Sequence, residues 1–218
     1  MHSSGDIEFI LLSATKVGDK QIVLHTFSRE LGRKSFITSI DRSSKMTLFQ
    51  TLNILSGKIM ENNRSKLSRA SSIRTEYPLM GIRGNIHKAA ISMFIGEVLY
   101  KSIRDGVVDP VLYDQCKQSI ITLDNLDRNF ASFHLWFLLE LCAALGFRAD
   151  IQSIRPFAGD KTDILESLLQ ADFPNFLLYP LTGRERSEIA RIIIDYLSYH
   201  SETKLAIRSL QVLQELYA

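Results

Sequence analysis

Gly18-Asp19-Lys20-Gln21-Ile22-Val23-Leu24-His25-Thr26-Phe27-Ser28-Arg29-Glu30-Leu31-Gly32 reads as a turn, a strand and a second turn. Glycine accepts a positive φ and aspartate hydrogen-bonds its own backbone, so Gly18-Asp19 suits a tight reversal. Ile22, Leu24 and Thr26 then alternate with Val23, His25 and Phe27. That two-residue period gives a strand two distinct faces. A charged turn closes at Gly32, and a second alternating run leaves it over 34–40.

Working outward, further alternating runs occupy 8–15, part of 48–60 and, more weakly, 67–75. Gly, Asn and Ser clusters such as Asn62-Asn63 separate them. Five short strands with no crossover helix between them predict a small closed barrel rather than a parallel sheet. Pro78 and Gly81 to Gly84 mark its end, which places the barrel in 1–79 and a second domain in 80–218. There the period turns helical. The stretch 85–104 is apolar nearly all round, and Asp109-Pro110 supplies an N-cap and a first-turn proline for 111–123. The most apolar helix spans 130–145 and stops at Gly146, a favourable residue past a helix end. Prolines punctuate 151–180, which reads as irregular around a short helix at 162–169. Thr182-Gly183-Arg184-Glu185 is a capping box that opens a helix to about His200, and a short amphipathic helix covers 209–216. The class is α+β, a barrel followed by a helical bundle.

The 218 residues carry 26 Lys/Arg and 24 Asp/Glu, a net charge of +2 that says little about partners. Its distribution says more. Residues 1–79 hold twelve basic against seven acidic side chains, a net of +5, which leaves −3 for the remainder. Between Gly32 and Arg74 the tally is nine against two. Such an asymmetry is the electrostatic footprint of a polyanion-binding surface. Cys116 and Cys142 lack CxxC spacing and read as buried free thiols in a reducing, cytoplasmic setting. The longest apolar run, 135–145, is broken by Glu140 and falls short of the ~20 residues a bilayer span needs, so no membrane partner is expected.

Arg33, Lys34, Arg42, Lys45, Lys58, Arg64, Lys66 and Arg69 interleave with Phe27, Phe36 and Phe49. Cations on a barrel track phosphates while exposed rings stack on bases; the alternative is a solvated rim around core phenylalanines. Phe130, Phe133, Trp136 and Phe137 pack a central helix, with one ring at a groove edge available to a partner peptide. Glu202-Thr203-Lys204 resembles the tail of a nuclease motif but falls at a helix end, where metal-dependent hydrolysis lacks its partner carboxylate. Five histidines form no HxxxH or HExxH pair, and neither a P-loop nor a G-x-S-x-G or G-x-G-x-x-G motif occurs. No catalytic constellation, metal site, cofactor or small-molecule substrate is expected.

Three stretches together resemble the RecO-type DNA repair proteins, bacterial recombination mediators. The first runs from Gly18-Asp19 through Ile22-Val23 to Thr26-Phe27-Ser28-Arg29-Glu30-Leu31-Gly32-Arg33. The second runs from Phe133-His134-Leu135 through Leu139-Glu140-Leu141 to Leu145-Gly146-Phe147. The third is Arg208-Ser209 with Val212-Leu213 and Glu215-Leu216. The resemblance implies an N-terminal OB-fold and a helical domain, and no enzymatic turnover. It also implies binding of single- and double-stranded DNA, strand annealing, and contact with a single-strand-binding protein and a RecR-like partner. Many members carry four zinc cysteines past the Leu-Gly-Tyr/Phe ending; here 148–181 holds none, which predicts a zinc-less variety. The family's basic tract after the third strand is diluted to Ser39-Ile40-Asp41-Arg42-Ser43-Ser44-Lys45, so Lys58, Arg64 and Lys66 share its task. An acidic C-terminal tail ending in an aromatic residue needs an apolar pocket beside a cation, for which Lys101, Arg104 and Arg128, with Trp136, are the candidates. A rival reading makes the chain a protein–protein adaptor that works through its helices, with the barrel as scaffold.

Overall fold

The computed structural model describes residues 6–40, 46–60 and 67–217. Five strands close into a barrel: β1 (Asp6–Val17), β2 (Gln21–Ser28), β3 (Gly32–Ser39), β4 (Ile54–Met60) and β5 (Ser68–Tyr77). Around the barrel they run β1-β2-β3-β5-β4, with β3 and β5 parallel and the remaining pairs antiparallel. This is the expected OB-type barrel. Alternation decides what fills it. Phe9, Leu11, Ile22, Leu24, Phe36, Ile40, Leu55, Ile59 and Ala70 form the buried interior, and Phe9 meets Phe36 with ring centroids 6.0 Å apart. Each large side chain withdrawn from water is worth about 1.5–3 kcal/mol, so this interior is the barrel's main source of stability.

Two compact units divide the described chain: Met1–Met80 with Leu99–Ile121, and Gly81–Val98 with Thr122–Ala218. In the first, the barrel's outward β2–β3 face is covered by residues 99–121. His25 lies edge-on to Tyr100 at 5.1 Å and Phe27 to Tyr113 at 5.6 Å. The Tyr113 hydroxyl and Lys117 Nζ both donate to Glu8, at 2.9 and 2.6 Å, and Arg29 forks onto Asp114 at 3.1 and 3.2 Å. Burial first, then Glu8, raises the Tyr113 pKa. The start of β3 is zipped to the same segment, since Gly106 N donates to Arg33 O at 2.8 Å. Among Phe27, Phe36 and Phe49, the first two are fully buried and the third packs against the interior, which is the core reading of these rings rather than the base-stacking one.

The second unit takes in most of α2 (Ile86–Ser102), the end of α3 (Pro110–Asn125), α4 (Phe133–Ala144), α5 (Ile151–Ala158), α6 (Thr162–Gln170), α7 (Phe173–Leu178), α8 (Gly183–His200) and α9 (Ser209–Leu216). Short helix α1 (Met80–Arg83) precedes them. Its Ile82 N donates to Asp124 Oδ1 at 2.7 Å, while the buried Lys88 ammonium donates to Asp124 O at 2.8 Å beneath the Phe130 ring. Burial lowers the Lys88 pKa, against the pull of Asp124 and Asp127. The capping box at Thr182 and Glu185 forms as predicted. Glu97 on α2 caps α9, accepting from Arg208 N, Ser209 N and Ser209 Oγ.

Two boundaries differ from the sequence reading. Helix α4 starts at Phe133 rather than 130, because Asn129 at φ 59° turns the chain first. The stretch 151–180 is three helices instead of one. Asp150 and Ser153 cap α5 reciprocally and so offset the missing donor of Pro156, while Pro174 sits in the first turn of α7, where its lack of an N–H costs nothing. Both cysteines are buried and unpaired, with burial raising each thiol to about 12, far from reactive thiolates. Among the described residues no helix is long and apolar enough to cross a membrane.

Candidate nucleic-acid interface and partner cleft

Of the eight barrel cations singled out from the sequence, Arg42, Lys45, Arg64 and Lys66 lie outside the described residues. Arg33 and Lys34 are neighbours on β3 and therefore point to opposite faces. Arg33 faces the covered side, where its guanidinium lies 5.0 Å from the Tyr100 ring centre and 3.6 Å from Asp105, with its side chain 19% exposed. Burial, and then Arg33, lowers the His25 pKa beside it. Lys34 shares its face with Phe36 and is half-buried. Lys58 stands exposed on the outward side of β4, paired across the sheet with Asp6 and Ser71. Two rungs further, Met60 faces Arg69, and both are exposed. Arg74, on the same face, is tied to Asp6 and Glu76. The structure thus brings Lys58 and Arg69 onto one open face and engages Arg33 inside the fold. Arg69 belongs to the basic run read from the sequence, but alternation alone does not say which outward face is left uncovered.

The partner candidates divide between the units. Lys101 and Arg104 belong to the barrel unit, Arg128 and Trp136 to the helical one. In the latter, Arg128 lines a cleft of about 330 Å³ whose apolar wall is Phe173, Pro174, Leu177 and Leu178 of α7. Asn125, Asp127 and Asn129 complete the polar rim. Trp136 supports the wall from behind, with its ring 4.6 Å from Phe173, and Phe133 meets Phe173 at 6.3 Å. An apolar wall beside a guanidinium can hold an aromatic group and a carboxylate together. The sequence hid this wall, since Pro174 within α7 reads as a break. Glu202-Thr203-Lys204 sits in an exposed turn past α8, and among the described residues no three His, Cys, Asp or Glu side chains cluster to hold a metal ion.

A closed five-stranded barrel with cations on an uncovered face, joined to a helical unit with a peptide-sized cleft, defines a barrel-and-bundle binding protein. The family pattern "Recombination protein O C terminal" matches residues 83–153. "DNA repair protein RecO" of Phocaeicola vulgatus is 27% identical, over 96% of this chain and 97% of its own. Those of Flavobacterium psychrophilum and Porphyromonas gingivalis are each 28% identical, over 96% and 95% of this chain and 97% of theirs. Along nearly its whole length the chain is thus similar to proteins named for DNA repair, and within its helical part it matches that family's C-terminal pattern.

Proposed function

We propose that this chain is a non-catalytic recombination mediator. It binds single- and double-stranded DNA, anneals complementary strands, and helps load recombinase onto DNA coated by single-strand-binding protein. The barrel, residues 1–79, contributes the DNA contacts, and residues 80–218 those to protein partners, a RecR-like protein among them. The observation that carries this reading is similarity to DNA repair proteins along nearly the whole chain, barrel and helices together. On the barrel, the β2–β3 face used by many OB-folds is covered here by Tyr100 and Tyr113. Phosphates therefore meet the β4–β5 face at Lys58 and Arg69, with Arg42, Lys45, Arg64 and Lys66 as further contacts. Neutralising two strands on one surface removes their mutual repulsion, which is a physical route to annealing.

Fluorescence anisotropy with a labelled single strand tests this. Binding should weaken with salt, log K losing about 0.7 per phosphate contact for each tenfold rise. Lys58→Glu with Arg69→Glu should lower that slope by about 1.4 and weaken binding irrespective of base sequence. An unchanged slope rejects the β4–β5 face.

The cleft favours a second activity alongside the first, capture of the acidic, aromatic-ended tail of a single-strand-binding protein. Calorimetry with that tail peptide should give binding that Arg128→Glu or Leu178→Ser weakens about tenfold or more, with the fold intact because both side chains are exposed. Binding by the full chain that ignores both changes places the tail elsewhere. Tail binding with no DNA binding at any salt favours the pure adaptor.

A further inference from the structure

Among the described residues, five polar side-chain atoms are shut off from solvent with no hydrogen-bond partner. One is Arg33 Nε in the barrel unit. The other four belong to the helical unit: Nδ1 of His87, Nδ1 of His134, Nε of Arg186 and the Tyr217 hydroxyl. Three of those side chains meet at Tyr217. The Tyr217 ring lies 5.1 Å from that of His87, and the Arg186 guanidinium lies 5.2 Å from the centre of the Tyr217 ring, whereas the His134 ring hydrogen-bonds the Ala131 backbone. The three come from α2 and α8 and from the residue after α9. His134 is 2% exposed and leans edge-on against Phe94 at 5.6 Å.

Arg186 makes one hydrogen bond, from Nη1 to Leu181 O at 2.5 Å, and no carboxylate pairs with it among the described residues. The acid that acts on it, Glu185, is committed to the backbone and hydroxyl of Thr182. A partly buried guanidinium without a counter-charge is costly, and each orphaned polar atom costs more. The chemistry of the set is one-sided. Arginine Nε donates only, a tyrosine hydroxyl donates freely, and a neutral imidazole donates from whichever nitrogen carries its proton. Water would satisfy such donors but leave the charge bare; an oxyanion supplies acceptors and counter-charge together.

We infer that His87, Arg186 and Tyr217 form a niche for one small tetrahedral oxyanion, with phosphate and sulfate as the chemistry that fits. The bound anion fastens Tyr217 and α9 to α2 and α8, so occupancy stabilises the helical unit by mass action.

Equilibrium dialysis of the full chain against radiolabelled inorganic phosphate, at fixed ionic strength, tests this. The expected result is one saturable phosphate per chain, displaced by sulfate. It should be lost in Arg186→Met and weakened at least tenfold in Tyr217→Phe, which keeps the ring and removes only the hydroxyl. Lys58→Glu with Arg69→Glu must leave that site intact, separating it from phosphate held by the DNA face. Absence of saturable binding overturns the niche, as does binding that persists unchanged in Tyr217→Phe or disappears with the barrel charges. If Arg186→Met fails to fold, wild type and Tyr217→Phe decide.

Discussion

Gly32→Ala is expected to cost the barrel unit about 3 kcal/mol, a far larger effect than its one added methyl suggests. Gly32 sits at φ +65°, a region that costs an L-residue about 1 kcal/mol, and the new Cβ would lie 2.1 Å from Val107 O. That carbonyl cannot step aside easily. Residues 105–107 are held to β3 by the Gly106 N to Arg33 O bond and by Arg33 beside Asp105. Overpacking against fixed backbone adds about 1–3 kcal/mol. Gly18→Ala is the internal control: its φ is +61°, and a Cβ there meets nothing within 4 Å, so only the conformational cost of about 1 kcal/mol applies. Thermal melting should place Gly32→Ala roughly 6–12 °C below wild type and Gly18→Ala by about a third of that. Equal losses at the two glycines would show that contact with Val107 contributes nothing.

The same glycine shows how much a linear reading can carry. Its positive φ and its place at a turn are visible in the sequence, as are the strands, because alternation and turn residues are local properties. What lies over the turn is not local: Val107 is 75 residues downstream of Gly32. Arg33 follows the same logic. Membership of a basic run says that it is cationic, and pleating says that it opposes Lys34, but only the fold places Tyr100 and Asp105 over its face. Lys58 and Arg69 are open for the complementary reason, since nothing described in their unit packs across that rung of β4 and β5.

In the helical unit, long apolar elements were legible and short ones were not. α4 and α8 announce themselves through hydrophobic runs, Gly146 and the Thr182 capping box. α5 and α7 are dominated by their prolines, which a periodicity reading treats as breaks. Signals for both were nonetheless present. Asp150 with Ser153, and Asp172 followed by an early Pro174, are the same N-terminal chemistry that was used at Asp109-Pro110. With α7 unseen, Arg128 and Trp136 had no visible common neighbour; Phe173 supplies it.

His134 makes the helical unit sensitive to acid. Burial first, then the nearby Arg186 charge, lowers its pKa from an ordinary 6.5 to about 3, so the folded chain keeps the ring neutral where the unfolded chain accepts a proton. The sign follows directly. Above pH 6.5 both states are neutral at this site and its full contribution to stability is present; as pH falls towards 3, only the unfolded state gains the proton, and stability is lost. Between pH 7 and pH 5 the loss from this one side chain is about 2 kcal/mol, roughly 4–8 °C in melting temperature. The lowered pKa of His25 adds a loss of the same sign in the barrel unit. His134→Leu removes the titrating group while keeping an apolar neighbour for Phe94, so urea unfolding at pH 7, 6 and 5 should show a visibly flatter dependence than wild type, even if the variant starts from lower stability. Parallel pH profiles in the two proteins would mean that His134 exchanges its proton in the folded state, and that the ring is not sealed among α2, α4 and α8.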